Sequence, residues 1–182
     1  LMDLETKSTT QLLETTKFLE NPIWSPNGEW IALGKSGELF LISPDLKDEV
    51  QLTNFGHSYW FTPLAWSNDS ERILFSSNHE VPGHAISETK LYSFNVREQI
   101  IETITNKQFT YIQSADWSPN GQEIVYSMGL HSSVSHVWNP FDGVDIELMS
   151  AQLAGMLPSR RNEVDVRWLP DGQHIMFSMS NH

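Results

Sequence analysis

The chain has 182 residues, with 11 Lys and Arg against 23 Asp and Glu; the resulting net charge of −12 repels the phosphate backbones of nucleic acids. It contains no Cys, which excludes disulfides, thiolate metal sites and Cys nucleophiles. No apolar run approaches the roughly 18 residues that a membrane-spanning helix needs.

In chain order, the first residues make sense only against a later stretch. Aligning Gln11-Leu12 with Gln51-Leu52 places Leu1 to Lys7 on Leu41 to Lys47 at a constant offset of 40. The N-terminus therefore reads as the late part of a repeat: the end of a third strand, a turn, then a fourth. The chain opens on Leu1 and shows no signal peptide, as expected of a processed or excised piece.

Trp24-Ser25-Pro26-Asn27-Gly28 follows, and it recurs as Trp66-Ser67-Asn68-Asp69-Ser70, Trp117-Ser118-Pro119-Asn120-Gly121 and Trp168-Leu169-Pro170-Asp171-Gly172. The four tryptophans lie 42, 51 and 51 residues apart (66−24, 117−66, 168−117), a period that marks a repeat architecture. Pro presets the turn and Asn-Gly or Asp-Gly tolerates the positive φ after it. Each copy is thus a tight reversal between a strand carrying Trp and a strand carrying an apolar run. Those runs are Ile31-Ala32-Leu33, Ile73-Leu74-Phe75, Ile124-Val125-Tyr126 and Ile175-Met176-Phe177. The tryptophans are expected to pack in the core between units.

The units fall at 21–53, 63–105 and 114–149, with a fourth split between 164–179 and 1–13. Four strands per unit, spaced about ten residues apart, predict an all-β fold: a β-propeller of about four four-stranded blades in a single domain. The N-terminal strands are expected to complete the last blade; the alternative is a partial propeller whose open edges pair across a homodimer. Ser150 to Arg161 breaks the period and is expected to form a short helical turn in a long connection.

Trp, then Ser-Pro-Asn/Asp-Gly, then an Ile-led run resembles the WD-like repeat of TolB-type β-propellers. Leu52-Thr53 is similar to the Leu-Thr that closes a blade in that family. The likeness spans Leu1 to Met179. It departs at Asn68-Asp69-Ser70, at Leu169, across 150–161 and in the number of blades, which is usually six or more. The resemblance implies a bacterial, periplasmic (extracytoplasmic) protein that binds another protein. It extends to the lid propellers of prolyl-oligopeptidase-like peptidases and to membrane-anchored regulators.

In a four-stranded blade, the loop entering the first strand and the loop from second to third open on one face. That face is expected to gather His57, His79, His84, His131 and His136 with Tyr59, Trp60 and Tyr111. The set forms a candidate binding face, because loops on a rigid scaffold often carry recognition. The same residues also fit solvated histidines and aromatics packed between blades. His174 is expected inside a strand. His79-Glu80-Val81-Pro82-Gly83-His84 spaces its histidines at i and i+5 around Pro and Gly, which breaks the helical zinc-protease geometry. There is no Gly-x-Ser-x-Gly elbow. The sequence therefore calls for no catalytic residue, no metal and no cofactor. It favours a non-catalytic protein-binding module over the propeller of a peptidase or a metal-assisted carbohydrate-active propeller.

Overall fold

The computed structural model describes residues 2–9, 11, 19–56, 59–79, 88–105, 112–128, 134–139, 143–148 and 162–181. Every regular element among them is a strand. Blade 1 comprises β1 (Leu19–Trp24), β2 (Ile31–Lys35), β3 (Glu38–Ile42) and β4 (Glu49–Gln51). Blade 2 comprises β5 (Tyr59–Trp66), β6 (Arg72–His79), β7 (Glu88–Asn95) and β8 (Ile100–Thr103). Blade 3 comprises β9 (Ile112–Trp117), β10 (Ile124–Met128), β11 (Val134–Trp138) and β12 (Asp145–Glu147). They are followed by β13 (Asn162–Trp168) and β14 (Ile175–Asn181). The first three units are antiparallel four-stranded sheets in sequential order, while β13 and β14 form a two-stranded sheet. First strands of successive sheets lie side by side, β1 to β5 to β9 to β13, as in a run of propeller blades.

The repeated turns form as the sequence dictates. Gly28, Gly121 and Gly172 have φ of 74°, 70° and 65°. The amide of the turn's last residue donates to the carbonyl of its Ser or Leu, as in Gly121 N to Ser118 O at 2.8 Å. The Ser hydroxyl binds the Asn or Asp side chain, 2.7 Å in Ser118–Asn120, and caps the following strand through the amide of Glu123. Ser70 holds the same place in blade 2 at φ 62°, so the degenerate copy keeps the conformation without the Gly. Adjacent turns touch: Asn27 N donates to Ser70 Oγ and Asn68 Nδ2 to Pro119 O.

The core lies between blades. Leu74, Leu91, Ile112, Ala115, Trp117, Ile124 and Tyr126 fill the space from blade 2 to blade 3, and Ala32, Leu41, Trp66 and Ile73 that from blade 1 to blade 2. Trp66, Trp117 and Trp168 each cover the unit before them. Trp66 donates its indole N–H to Ile23 O, and Trp117 carries the Arg72 guanidinium over its ring at 4.4 Å. Trp168 packs on Val125 and Val137 of blade 3. Trp24 breaks this pattern. It is 46% exposed against 7% for Trp66 and 4% for Trp117, because no preceding blade lies against it among the described residues. The expectation that all four tryptophans are core fails there.

Two sequence expectations about the ends separate. The offset-40 reading is realised: Met2 bridges Thr9 as Ile42 pairs with Glu49. Asp3 N donates to Ser8 O just as Ser43 N donates to Asp48 O, both at 2.9 Å. Completion of the last blade by this segment is not seen: among the described residues, β14 pairs only with β13. The helical turn expected within 150–161 lies outside the described residues.

Candidate binding face

The loop entering blade 2 is held by a buried carboxylate. Glu38, at the start of β3, is 8% exposed; it accepts the Thr53 hydroxyl and the Gly56 amide at 2.8 Å. Thr53 Oγ1 in turn accepts the Leu39 amide at 2.9 Å, and Gln51 Nε2 donates to Thr53 O. Thr53 belongs to the Leu-Thr pair that ends blade 1, so the blade-closing motif also fixes the next loop. Gly56 sits at φ 94°, where a side chain would be strained.

This pinning places Phe55 on the rim. Its ring lies 5.3 Å from Phe61 and 6.4 Å from Tyr92, while the residue remains 42% exposed. Below it the stack continues through Phe61 to Phe75 at 5.6 Å and Phe75 to Tyr92 at 5.3 Å. Phe61 and Phe75 are fully buried, so the exposed ring stands on a rigid column.

Of the predicted face residues, Tyr59, Trp60 and His79 are positioned by strands. Tyr59 and Trp60 occupy the beginning of β5, within the sheet and not in a loop; the extension past Pro63 is accommodated by a bulge between Pro63 and Ala65. Tyr59 pairs with His79 and Trp60 with Asn78, and His79 also pairs with Glu88. The backbone thus gathers Tyr59, His79 and Glu88 into one cross-strand row at the end of the β5–β6–β7 ladder. His57, His84, Tyr111 and His131 lie outside the described residues.

His136 is elsewhere. It sits inside β11, is 3% exposed, stacks on Tyr126 with centroids 5.2 Å apart, and places Nδ1 3.1 Å from Asp145 Oδ1. Tyr126 OH reaches both Asp145 oxygens at 3.1 Å. Burial, then the neighbouring carboxylate, push the Tyr126 phenol well above its usual range, so it remains a protonated donor. This cluster ties β10, β11 and β12 together and is structural. His174 is also displaced from its expected strand: it belongs to the fourth turn, with Nδ1 2.7 Å from Asp171 Oδ2. Among the described residues, no group of three or more His, Asp and Glu is placed to hold a metal ion.

Phe55 is the residue that sequence reading passed over. A signal existed: it sits two residues after the Leu-Thr closure and directly before a Gly, where an aromatic has little strand to pack into.

No protein-family model matches this chain, and no curated protein matches. Solved structures do. TolB from Acinetobacter baumannii aligns at TM-score 0.72 and 16% identity, over 100% of this chain and 42% of that one. A structure assigned as TolB from Agrobacterium tumefaciens aligns at 0.66 and 21%, over 98% and 60%. Oligogalacturonate lyase from Vibrio parahaemolyticus aligns at 0.68 and 14%, over 97% and 50%. Peptidase structures are among the other matches. The chain therefore spans 42% to 60% of the TolB chains it matches. At these identities the likeness establishes the fold: a partial β-propeller of TolB type.

Proposed function

We propose that this chain is a non-catalytic, protein-binding propeller module that acts outside the cytoplasm of a bacterium. The observation that supports it best is Phe55, an aromatic ring 42% exposed yet braced by a buried aromatic column and a carboxylate-pinned loop. Interface anchors have this character: large, rigid aromatic side chains that lose little conformational freedom on binding. The net charge of −12 favours a partner with a basic surface, whose approach it would accelerate. The partial TolB-like propeller is consistent with such a role; because a shared fold does not transfer function, the reading rests on Phe55.

The test is a comparison of immobilised wild type, Phe55→Ala and Trp24→Ala against bacterial envelope proteins. The reading expects one discrete protein held by wild type and by Trp24→Ala and released by Phe55→Ala, with unchanged circular dichroism. Equal retention by all three chains would remove Phe55 from the interface. Release of a tagged chain with the periplasmic fraction tests the location.

A second reading draws on the peptidase structures among the matches: the chain would be the non-catalytic propeller lobe of a peptidase, screening substrates on the same rim. It expects unstructured peptides, not a folded protein, to compete for the Phe55 surface.

A further inference from the structure

The junction between blades 1 and 2 holds a cation that the described fold does not use. Among the described residues, every other Lys and Arg except the exposed Lys7 has an internal partner. Lys35, Lys47, Arg97 and Arg167 pair with carboxylates, and Arg72 is held by Gly121 O and the Trp117 ring. Lys90, in β7, is half-buried, yet its ammonium has no hydrogen-bond, carboxylate or ring partner among the described residues. Acids are not scarce, since the chain has 23 Asp and Glu against 11 Lys and Arg.

The repeat shows what Lys90 replaces. Leu52 N donates to Leu39 O in blade 1, and Ile104 N to Leu91 O in blade 2. Glu38 and Lys90 therefore occupy one place in the unit, as do Thr53 and Thr105. Glu38 accepts the Thr53 hydroxyl and the Gly56 amide. An ammonium accepts nothing, and the Thr105 hydroxyl is left buried with no partner. An unpartnered buried hydroxyl costs stability, and no contact of Lys90 among the described residues offsets it.

Strand register brings this cation to Phe55. Phe61, Ser77 and Lys90 form one cross-strand row, so their side chains leave the same face of blade 2. Tyr92 follows two residues later on that face, about 7 Å along the strand. Phe55 packs on this face through Phe61 and Tyr92. The exposed ring and the unpaired ammonium thus share one surface, between two complete four-stranded sheets.

We infer that this surface binds a folded protein through a loop in which an apolar side chain packs on Phe55 and an adjacent Asp or Glu carboxylate pairs with Lys90. The inference rests on the reading of Phe55 as an interface anchor and adds the chemistry of what it binds. Charge complementarity supplies the carboxylate. A chain of net charge −12 repels an acidic group as a whole, so a carboxylate of the partner is accommodated at Lys90 and fixes the register there. Basic groups elsewhere on the partner favour the approach.

The test is selection from a phage library of a folded carrier domain with one randomised surface loop. The library is panned against wild type, Phe55→Ala, Lys90→Gln and Lys90→Arg, each checked by circular dichroism. Net charge alone would enrich loops rich in Lys and Arg. The inference expects wild type and Lys90→Arg to enrich loops with Asp or Glu beside an apolar residue. Phe55→Ala should lose these loops, and Lys90→Gln should lose the preference for the acid. Changing the selected acid to its amide should weaken binding to wild type about tenfold and leave binding to Lys90→Gln unchanged, by calorimetry. The wild-type half of that comparison depends on no variant folding. Loops that need Phe55 but carry no acid, or whose acid binds wild type and Lys90→Gln equally, overturn the role of Lys90 and leave Phe55 as an anchor. Loops indifferent to Phe55, or no enriched loop at all, overturn the reading of Phe55 and this inference with it.

Discussion

Replacing Gly121 by Val tests the physical basis of the repeat. Gly121 has φ +70°, and an added Cβ would meet nothing nearer than Arg72 NH2 at 3.5 Å. That is ordinary contact distance, so crowding contributes little and the cost is conformational. A non-glycine residue in the left-handed region costs about 1–3 kcal/mol, and a β-branched one belongs at the upper part of that range because its χ1 freedom is also restricted. The turn cannot evade the cost cheaply. Its amide is bound to Ser118 O at 2.8 Å, and its carbonyl accepts Arg72 at 3.3 Å, the same Arg72 that lies over Trp117. A chain of this size loses about 2–4 °C in Tm per kcal/mol, so a fall of at least about 2 °C is expected by scanning calorimetry, with faster amide exchange at Glu123. Gly121→Asn should cost less, since Asn tolerates this region better. An unchanged melting curve for Gly121→Val would refute the argument that positive φ dictates the glycine.

The converse substitution, Ser70→Gly, relieves the same strain at φ +62° but forfeits the exposed bond from Asn27 N to Ser70 Oγ; a gain of up to about 1 kcal/mol in denaturant unfolding is expected. Gly34→Ala should be more damaging than either, because its Cβ would lie 2.2 Å from Phe61 O, backbone against backbone between blades 1 and 2. A loss above about 2 kcal/mol by urea titration is expected, in the overpacking range. Asp116 accepts the Trp168 amide at 2.9 Å, yet its pKa is raised above 3.8, mainly by burial. A carboxyl with a raised folded pKa contributes stability that is fully present below the unfolded value and is lost as pH rises through the folded value. Relative to Asp116→Asn, wild type should therefore lose stability as pH climbs from 3.8 through the higher folded pKa; parallel stability curves for the two chains would contradict this.

Much of the architecture was written in local chemistry. The Trp-Ser-Pro-Asn-Gly copies and their Ile-led runs specify turn, strand and spacing, because positive φ and strand alternation depend on residues within one hairpin. The offset of 40 between Met2 and Ile42 foretold a hairpin whose bridge the structure reproduces. Even Ser70 behaves as its position in the repeat requires. What sequence could not decide depends on neighbours distant in the chain. Trp24 has the same local sequence as Trp117, but burial requires a preceding blade, which Trp117 has and Trp24 lacks among the described residues. His136 looked like a rim residue until Tyr126 and Asp145, 10 and 9 residues away, enclosed it in blade 3. Phe55 acquired its exposed position from Glu38, which pins the loop at Thr53 and Gly56 and is near it only because β3 and β4 pair. Local sequence set the shape of each unit; packing between units decided which side chains were left exposed.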